Sequence, residues 1–161
     1  MGSEGAVAMT LTLAAPAAPT VRVSYSRGMA SLSDQGVREL LAAPNYAVIS
    51  TLNRDGSVHS TVVWILAEDG AVSVNSAVGR LWPRNLERDP RVTVLVLETG
   101  NPYHFVEIRG TAQVTREGAD AHIDALAKKY LGVDEYPARQ PGEERIKFLI
   151  APEHVRYVKQ S

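Results

Sequence analysis

A mainly β chain with flanking helices, folded as an antiparallel barrel, is what this sequence predicts. Three observations carry that expectation. Six segments rich in apolar and β-branched residues read as strands, most of them joined by short turn signals rather than long crossovers. Three stretches with helical spacing stand before or between them. The 161 residues are 45% hydrophobic, which is enough to build the core of one domain.

Residues 1–25 are rich in Ala, Pro and Thr and lack sustained periodicity, so they read as a flexible N-terminal tail ahead of a folded domain over 26–161. Ser31-Leu-Ser-Asp34 has the spacing of a capping box and opens a short helix ending near Ala43-Pro44, with Leu32, Val37, Leu40 and Leu41 as its buried face. From Tyr46 the pattern becomes that of strands. Tyr46 to Leu52 and Ser57 to Leu66 are joined by the hairpin signal Asn53-Arg-Asp-Gly56. Glu68-Asp-Gly70 turns the chain again into Ala71 to Ser76. A short helix follows Arg80, with Pro83 near its start, where a missing N–H costs little, and stops at Asp89-Pro90. Arg91 to Glu98 and Tyr103 to Arg116 are strands around the loop Thr99 to Pro102. Gly118 to Leu131 is a helix by the spacing of Ile123, Leu126, Ala127, Tyr130 and Leu131, with Gly132 as its stop. Arg145 to Ala151 and Val155 to Lys159 read as one last strand, interrupted or bent at Pro152. Gly110 in mid-strand predicts a bulge or a close backbone approach.

Composition excludes several function classes. A net charge of −1 leaves no basic excess for nucleic acid or an anionic membrane surface. The absence of cysteine removes disulfides, thiolate catalysis and zinc–sulfur sites, and suits a cytoplasmic location. No apolar run approaches the roughly 20 residues of a membrane helix. The N-terminus does not read as a signal peptide, since Glu4 stands where positive charge belongs and Pro16 interrupts Met9 to Ala18. His59, His104, His122 and His154 show no metal-ligand spacing and read as structural or surface residues. Glu107 and Arg109 share a strand face and read as a cross-strand ion pair, with a polar interface lining a cleft as the competing reading.

The segment Ser76 to Arg91 is the informative one. A strand runs into a helix start bearing Gly79, Arg80 and Arg84, where free N–H groups, the helix dipole and guanidinium donors suit a phosphate. The competing reading is a solvated basic face with Glu87 as partner of Arg84. No triad, carboxylate pair or metal cluster accompanies it, so no catalytic residue is identified.

The hairpin Asn53-Arg-Asp-Gly56, His59-Ser-Thr-Val-Val-Trp64, Arg84-Asn-Leu-Glu-Arg-Asp-Pro-Arg91, Val106-Glu-Ile-Arg-Gly110 and Lys129-Tyr-Leu-Gly132 together resemble the pyridoxamine 5'-phosphate oxidase-like split-barrel proteins, and within them the actinobacterial flavin/deazaflavin oxidoreductases. The resemblance covers about residues 30–159. It implies a six-stranded antiparallel Greek-key split β-barrel with flanking helices, assembled as a homodimer with cofactor clefts at the subunit interface. It implies that Ser60, Thr61, Val62 and Val63 line the ring of a flavin or deazaflavin, and that Ser76, Arg80, Arg84 and Asn85 hold its phosphate end. Many relatives carry a lysine where this chain has Trp82, so Trp82 either packs beside the cofactor or marks a different ligand. The implied function is hydride transfer from reduced coenzyme F420 to an unsaturated small molecule. An FMN-dependent oxidoreductase and a non-catalytic binder of a flavin or haem ligand stand as alternatives.

Overall fold

The computed structural model describes residues 23–25 and 29–160. The expected tail falls outside the described residues except for its last three, which form β1 (Val23–Tyr25) and pair with the end of the final strand. Then follow α1 (Gln35–Ala42), β2 (Ala47–Leu52), β3 (Val58–Val63), β4 (Ile65–Glu68), β5 (Ala71–Ala77), α2 (Leu81–Arg88), β6 (Arg91–Glu98), β7 (Asn101–Thr115), α3 (Ala119–Leu131) and β8 (Arg145–Gln160).

All strand pairs are antiparallel, in the order β3-β2-β6-β7-β8-β5-β4, with β1 on β8. A meander of β6, β7 and β8 thus lies between the β2–β3 and β4–β5 hairpins. The strands at the two ends of this order, β3 and β4, are separated in sequence by Trp64 alone. The sheet must therefore curl until its edges meet at that residue, yet among the described residues β3 pairs only with β2, and β4 only with β5. A seam remains between them.

Six strands were expected, and the structure has more. Ser57 to Leu66 reads as one strand in sequence but is two, because its halves pair with opposite ends of the sheet. The added strand β1 accounts for the rest of the difference. The last strand runs unbroken through Pro152, with the irregularity taken up as a register shift. Arg109 faces His154 while Gly110 faces Pro152, so Glu153 is the extra residue.

The core follows the period of two. In β2 the residues alternate buried and half-buried, with Ala47 and Ile49 inward. β5 instead is buried on both faces over most of its length, since α3 lies on β5 and β8 and covers the outer one. Val37, Leu40 and Leu41 of α1 and Trp82 and Leu86 of α2 join the same core. The expected capping box is half formed. Asp34 Oδ2 accepts the Ser31 N–H at 3.0 Å, but the Ser31 hydroxyl turns to Ser33 and the helix begins only at Gln35. The hairpin glycine Gly56 has φ 82°, which explains the residue type at that turn.

Glu107 and Arg109 do pair, at 3.3 Å, but along one strand rather than across two. No helix among the described residues is long and apolar enough to cross a membrane.

Gly110 carries the bulge by close approach. A Cβ there would stand 1.9 Å from the Ala151 carbonyl oxygen and 3.2 Å from the Pro152 Cα, both backbone atoms that cannot step aside. Gly110→Ala should therefore lower stability by about 1–3 kcal/mol, the range for an overpacked site. Urea unfolding measures this; a midpoint equal to wild type would show that the bulge absorbs the methyl group.

Candidate functional site

The seam opens into a cleft of about 320 Å³. One wall is the edge of β3, with Thr61, Val62 and Val63. The opposite wall is the end of β5, with Asn75 and Ser76. Arg80 and Trp82 enter from the start of α2, Ile123 and Leu126 from α3, Tyr136 from the loop after α3, and Arg145 from the first residue of β8. Tyr46 and Trp64 complete it. As an edge strand, β3 presents on its outer side a row of backbone N–H and C=O groups without strand partners.

Aromatic rings shape one end. The Trp64 ring lies parallel to Tyr130 at 5.2 Å, Tyr46 stacks on Tyr130 at 5.8 Å, and Tyr136 meets Trp64 edge-on at 6.0 Å. Two consecutive residues of α3 hold the seam itself. The Tyr130 hydroxyl accepts the Ile65 N–H at 3.2 Å and donates to the Asn45 carbonyl at 2.7 Å. Lys129 Nζ donates to the carbonyls of Ile65 and Leu41 at 2.7 and 2.6 Å. Burial draws the Lys129 ammonium down to about 8 and pushes the Tyr130 hydroxyl up. Tyr130 is thereby committed to structure, and Tyr103 is 63% exposed and does not line the cleft.

The sequence-flagged residues divide. Thr61, Val62, Val63, Ser76, Arg80 and Trp82 converge on the cleft. Ser60 does not: its hydroxyl bonds to Ser50 across the β2–β3 pair at 2.8 Å. Arg84 and Asn85 lie elsewhere, with Leu81 and Arg88 on one face of α2, bordering a separate opening of about 490 Å³ beside Asn53, Arg54 and Asp55. The spacing 81, 84, 85, 88 is a helical stripe, whereas Arg80 precedes the first helical residue, has extended backbone and borders the cleft instead. Asn85 is buried and fully used. Its Nδ2 donates to Thr51 Oγ1 at 3.1 Å and Asn53 Oδ1 at 2.9 Å, and its Oδ1 accepts from Arg88, which fastens α2 to the β2–β3 hairpin. Glu87 meets Arg116 at 4.0 Å rather than Arg84. Trp82 is a core residue that borders the cleft, its ring 5.3 Å from Phe148.

Two groups in the cleft stand out electrostatically. Ser76 is 1% exposed, and its hydroxyl has no hydrogen-bond partner among the described residues. Arg80 is exposed and makes no ion pair among them. Arg145 was not singled out from sequence. It is buried, with Nε on Asn75 Oδ1 at 2.9 Å, Nη1 on Glu143 Oε1 at 2.5 Å and the guanidinium over the Tyr136 ring at 5.3 Å. Its only sequence signal is a charged residue opening an apolar strand.

A buried polar chain stands behind Arg145. Ser73 donates its one hydroxyl proton to Glu68 at 2.6 Å, so His122 Nε2 must be the donor to Ser73 at 2.7 Å, and Nδ1 then accepts from Asn75 at 3.2 Å. Asn75 Nδ2 also reaches the Ala119 carbonyl at 2.8 Å, and its Oδ1 is free for Arg145. His122 is thus a neutral structural histidine. No cluster of three or more metal-binding side chains occurs among the described residues.

Comparisons with known proteins agree with this architecture. The family profile described as pyridoxamine 5'-phosphate oxidase matches residues 33–159. No curated protein matches. Among solved structures, an F420 reductase is similar at 22% identity and TM-score 0.66, over 76% of this chain and 97% of that one. A conserved hypothetical protein from Mycobacterium tuberculosis is similar at 18% identity and TM-score 0.66, over 83% and 89%. An FAD-binding protein from Mesorhizobium loti is similar at 20% identity and TM-score 0.61, over 88% and 98%. At these identities they show the fold.

Burial and the Lys147 charge draw His122 down to about 4 from its ordinary 6.5, with the Glu68 charge working the other way. The unfolded chain takes up this proton more readily, so the stability His122 contributes is complete above about pH 6.5 and is lost as pH falls toward 4. The slope should approach 1.4 kcal/mol per pH unit. In His122→Gln, urea titrations between pH 6.5 and 4.5 should show that slope flattened; an unchanged slope would mean His122 is charged in the native protein.

Proposed function

Because the chain belongs to the pyridoxamine 5'-phosphate oxidase family, we propose that it is a flavin-type oxidoreductase whose cofactor ring lies in the seam cleft, with coenzyme F420 as that cofactor and FMN as the runner-up. The observation that carries the reading is the Ser76 hydroxyl. It is buried, unpartnered and set in the wall of a cleft that also holds two guanidinium groups. A buried hydroxyl without a partner is costly, and an acidic oxygen of a bound ligand would relieve it.

The remaining walls suit a flat ring with a polar edge. Trp64, Tyr46, Val62, Ile123 and Leu126 offer apolar surface, and the outer row of β3 offers backbone donors and acceptors at Thr61 to Val63. Arg80 would draw the phosphate end toward the start of α2. When bound and reduced, the deazaflavin supplies a hydride for an unsaturated acceptor. The chain's own residues then bind, orient and keep water out, which asks for position rather than for an acid–base pair. That fits a cleft whose neighbours His122 and Tyr130 are engaged in structure.

FMN remains because the family match does not separate the two ring systems and because Trp82 removes a cation from α2. A non-catalytic ligand-binding role is favoured by the same lack of acid–base groups. A homodimer is part of the proposal. Val58 and Val62 on β3 are 64% and 63% exposed and Tyr46 is 55% exposed, an apolar edge that a second copy would cover. The partners are a small-molecule substrate and that second copy, in the cytoplasm.

Calorimetric titration of the purified protein with F420 and with FMN tests the assignment. F420 should bind saturably and more tightly, and Arg80→Ala should weaken it by about 1.5–3 kcal/mol, the size of a lost charged hydrogen bond. Tighter FMN binding would select the runner-up. No saturable binding of either would remove the flavin reading.

A further inference from the structure

We propose that Arg145 forms an oxyanion subsite where β5 ends and β8 begins, which takes a phosphate or carboxylate oxygen of the ligand. It rests on the reading of the cleft as the flavin-type site, and adds to it the residue that supplies the second charge.

The geometry begins with donor capacity. A guanidinium has five N–H groups in a fixed plane. Arg145 uses Nε on Asn75 and one Nη1 proton on Glu143, and the other three have no partner among the described residues. The residue is 4% exposed, so water does not surround those donors as it would on a surface arginine. These unpartnered guanidinium donors line the cleft, and an acceptor oxygen there satisfies them.

Charge selects an anion over a neutral carbonyl. Glu143 balances one positive charge, and Arg80, which makes no ion pair among the described residues, leaves this end of the cleft net positive. The guanidinium is also held in place before any ligand arrives. Asn75 fixes Nε and is itself fixed by His122 and the Ala119 carbonyl, and Tyr136 lies across the guanidinium face. A donor already ordered loses little freedom on binding. At the neighbouring position on α2 the side chain is Trp82, which is packed into the core and brings no charge. Arg84 faces the other opening.

The test compares FMN with riboflavin, which share a ring and differ by the phosphate. Wild type should prefer FMN. In the double variant R145Q/E143Q, which avoids stranding a buried carboxylate, that preference should fall about tenfold, with riboflavin affinity within about threefold of wild type and an unchanged melting temperature. R145K, which keeps the charge but not the planar fork, should lose part of the preference, and R84A should keep all of it. An FMN-to-riboflavin ratio unchanged in both R145Q/E143Q and R145K, or a loss found in R84A instead, would overturn the proposal while leaving the flavin reading intact. Failure of wild type to bind FMN, riboflavin and F420 alike would overturn both.

Discussion

The fold depends on how the backbone of Ile65 is satisfied. This residue is fully buried where the two edges of the curled sheet come together, so its N–H and C=O must both find partners. In a closed barrel β3 and β4 would pair along this line. Here the partners are the Tyr130 hydroxyl and the Lys129 ammonium, from consecutive positions of α3. Closure of the sheet by side chains leaves a gap that closure by backbone would fill. The gap is the cleft, and its aromatic end is the Trp64–Tyr130–Tyr46 stack built on the same tyrosine. Lys129 also binds the last-turn carbonyl Leu41 of α1, so one cation ties α1, α3 and the seam together.

The second organising feature is the polar layer under α3. β5 is buried on both faces, yet its outward side carries Ser73 and Asn75 rather than apolar residues. These side chains form a continuous chain of bonds from Glu68 through His122 to Arg145. Each donor and acceptor in that chain has a defined direction, which fixes the histidine tautomer and the orientation of the guanidinium. The outer face of the sheet is thus used to position a charged group at its end, where the cleft begins. Meanwhile α2 divides its roles by face: Trp82 and Leu86 enter the core, Asn85 fastens the hairpin, and Arg80 at the helix start reaches the cleft.

Much of this was legible in the sequence because the signals were local. The hairpin at Asn53 to Gly56, the limits of α2 and α3, and the bulge at Gly110 each follow from residues within a few positions of one another. The cleft-lining roles of Thr61 to Val63, Ser76 and Arg80 followed from the family resemblance together with the helix start. What sequence did not reveal were facts of pairing and facing. Ser57 to Leu66 has one uninterrupted strand pattern, and only its two different neighbours divide it at Trp64. Arg80 and Arg84 are four apart, a spacing that would share a side within a helix, but Arg80 precedes the first helical residue and points elsewhere. Arg145 lies 65 residues beyond Arg80 and joins it only because β8 returns beside β5, which no local pattern encodes.

The most direct test of the seam as the ligand site is amide hydrogen exchange, read residue by residue, with and without saturating F420 or FMN. If the ligand lies in the seam, exchange should slow at the outward-facing amides of Thr61 to Val63 and at the start of α2, and should be unaltered at Arg54 to Gly56 and at Arg84 to Arg88. Protection confined to that second group, or to the groove of about 650 Å³ bordered by Arg38, Glu68 and Gly70, would contradict the account.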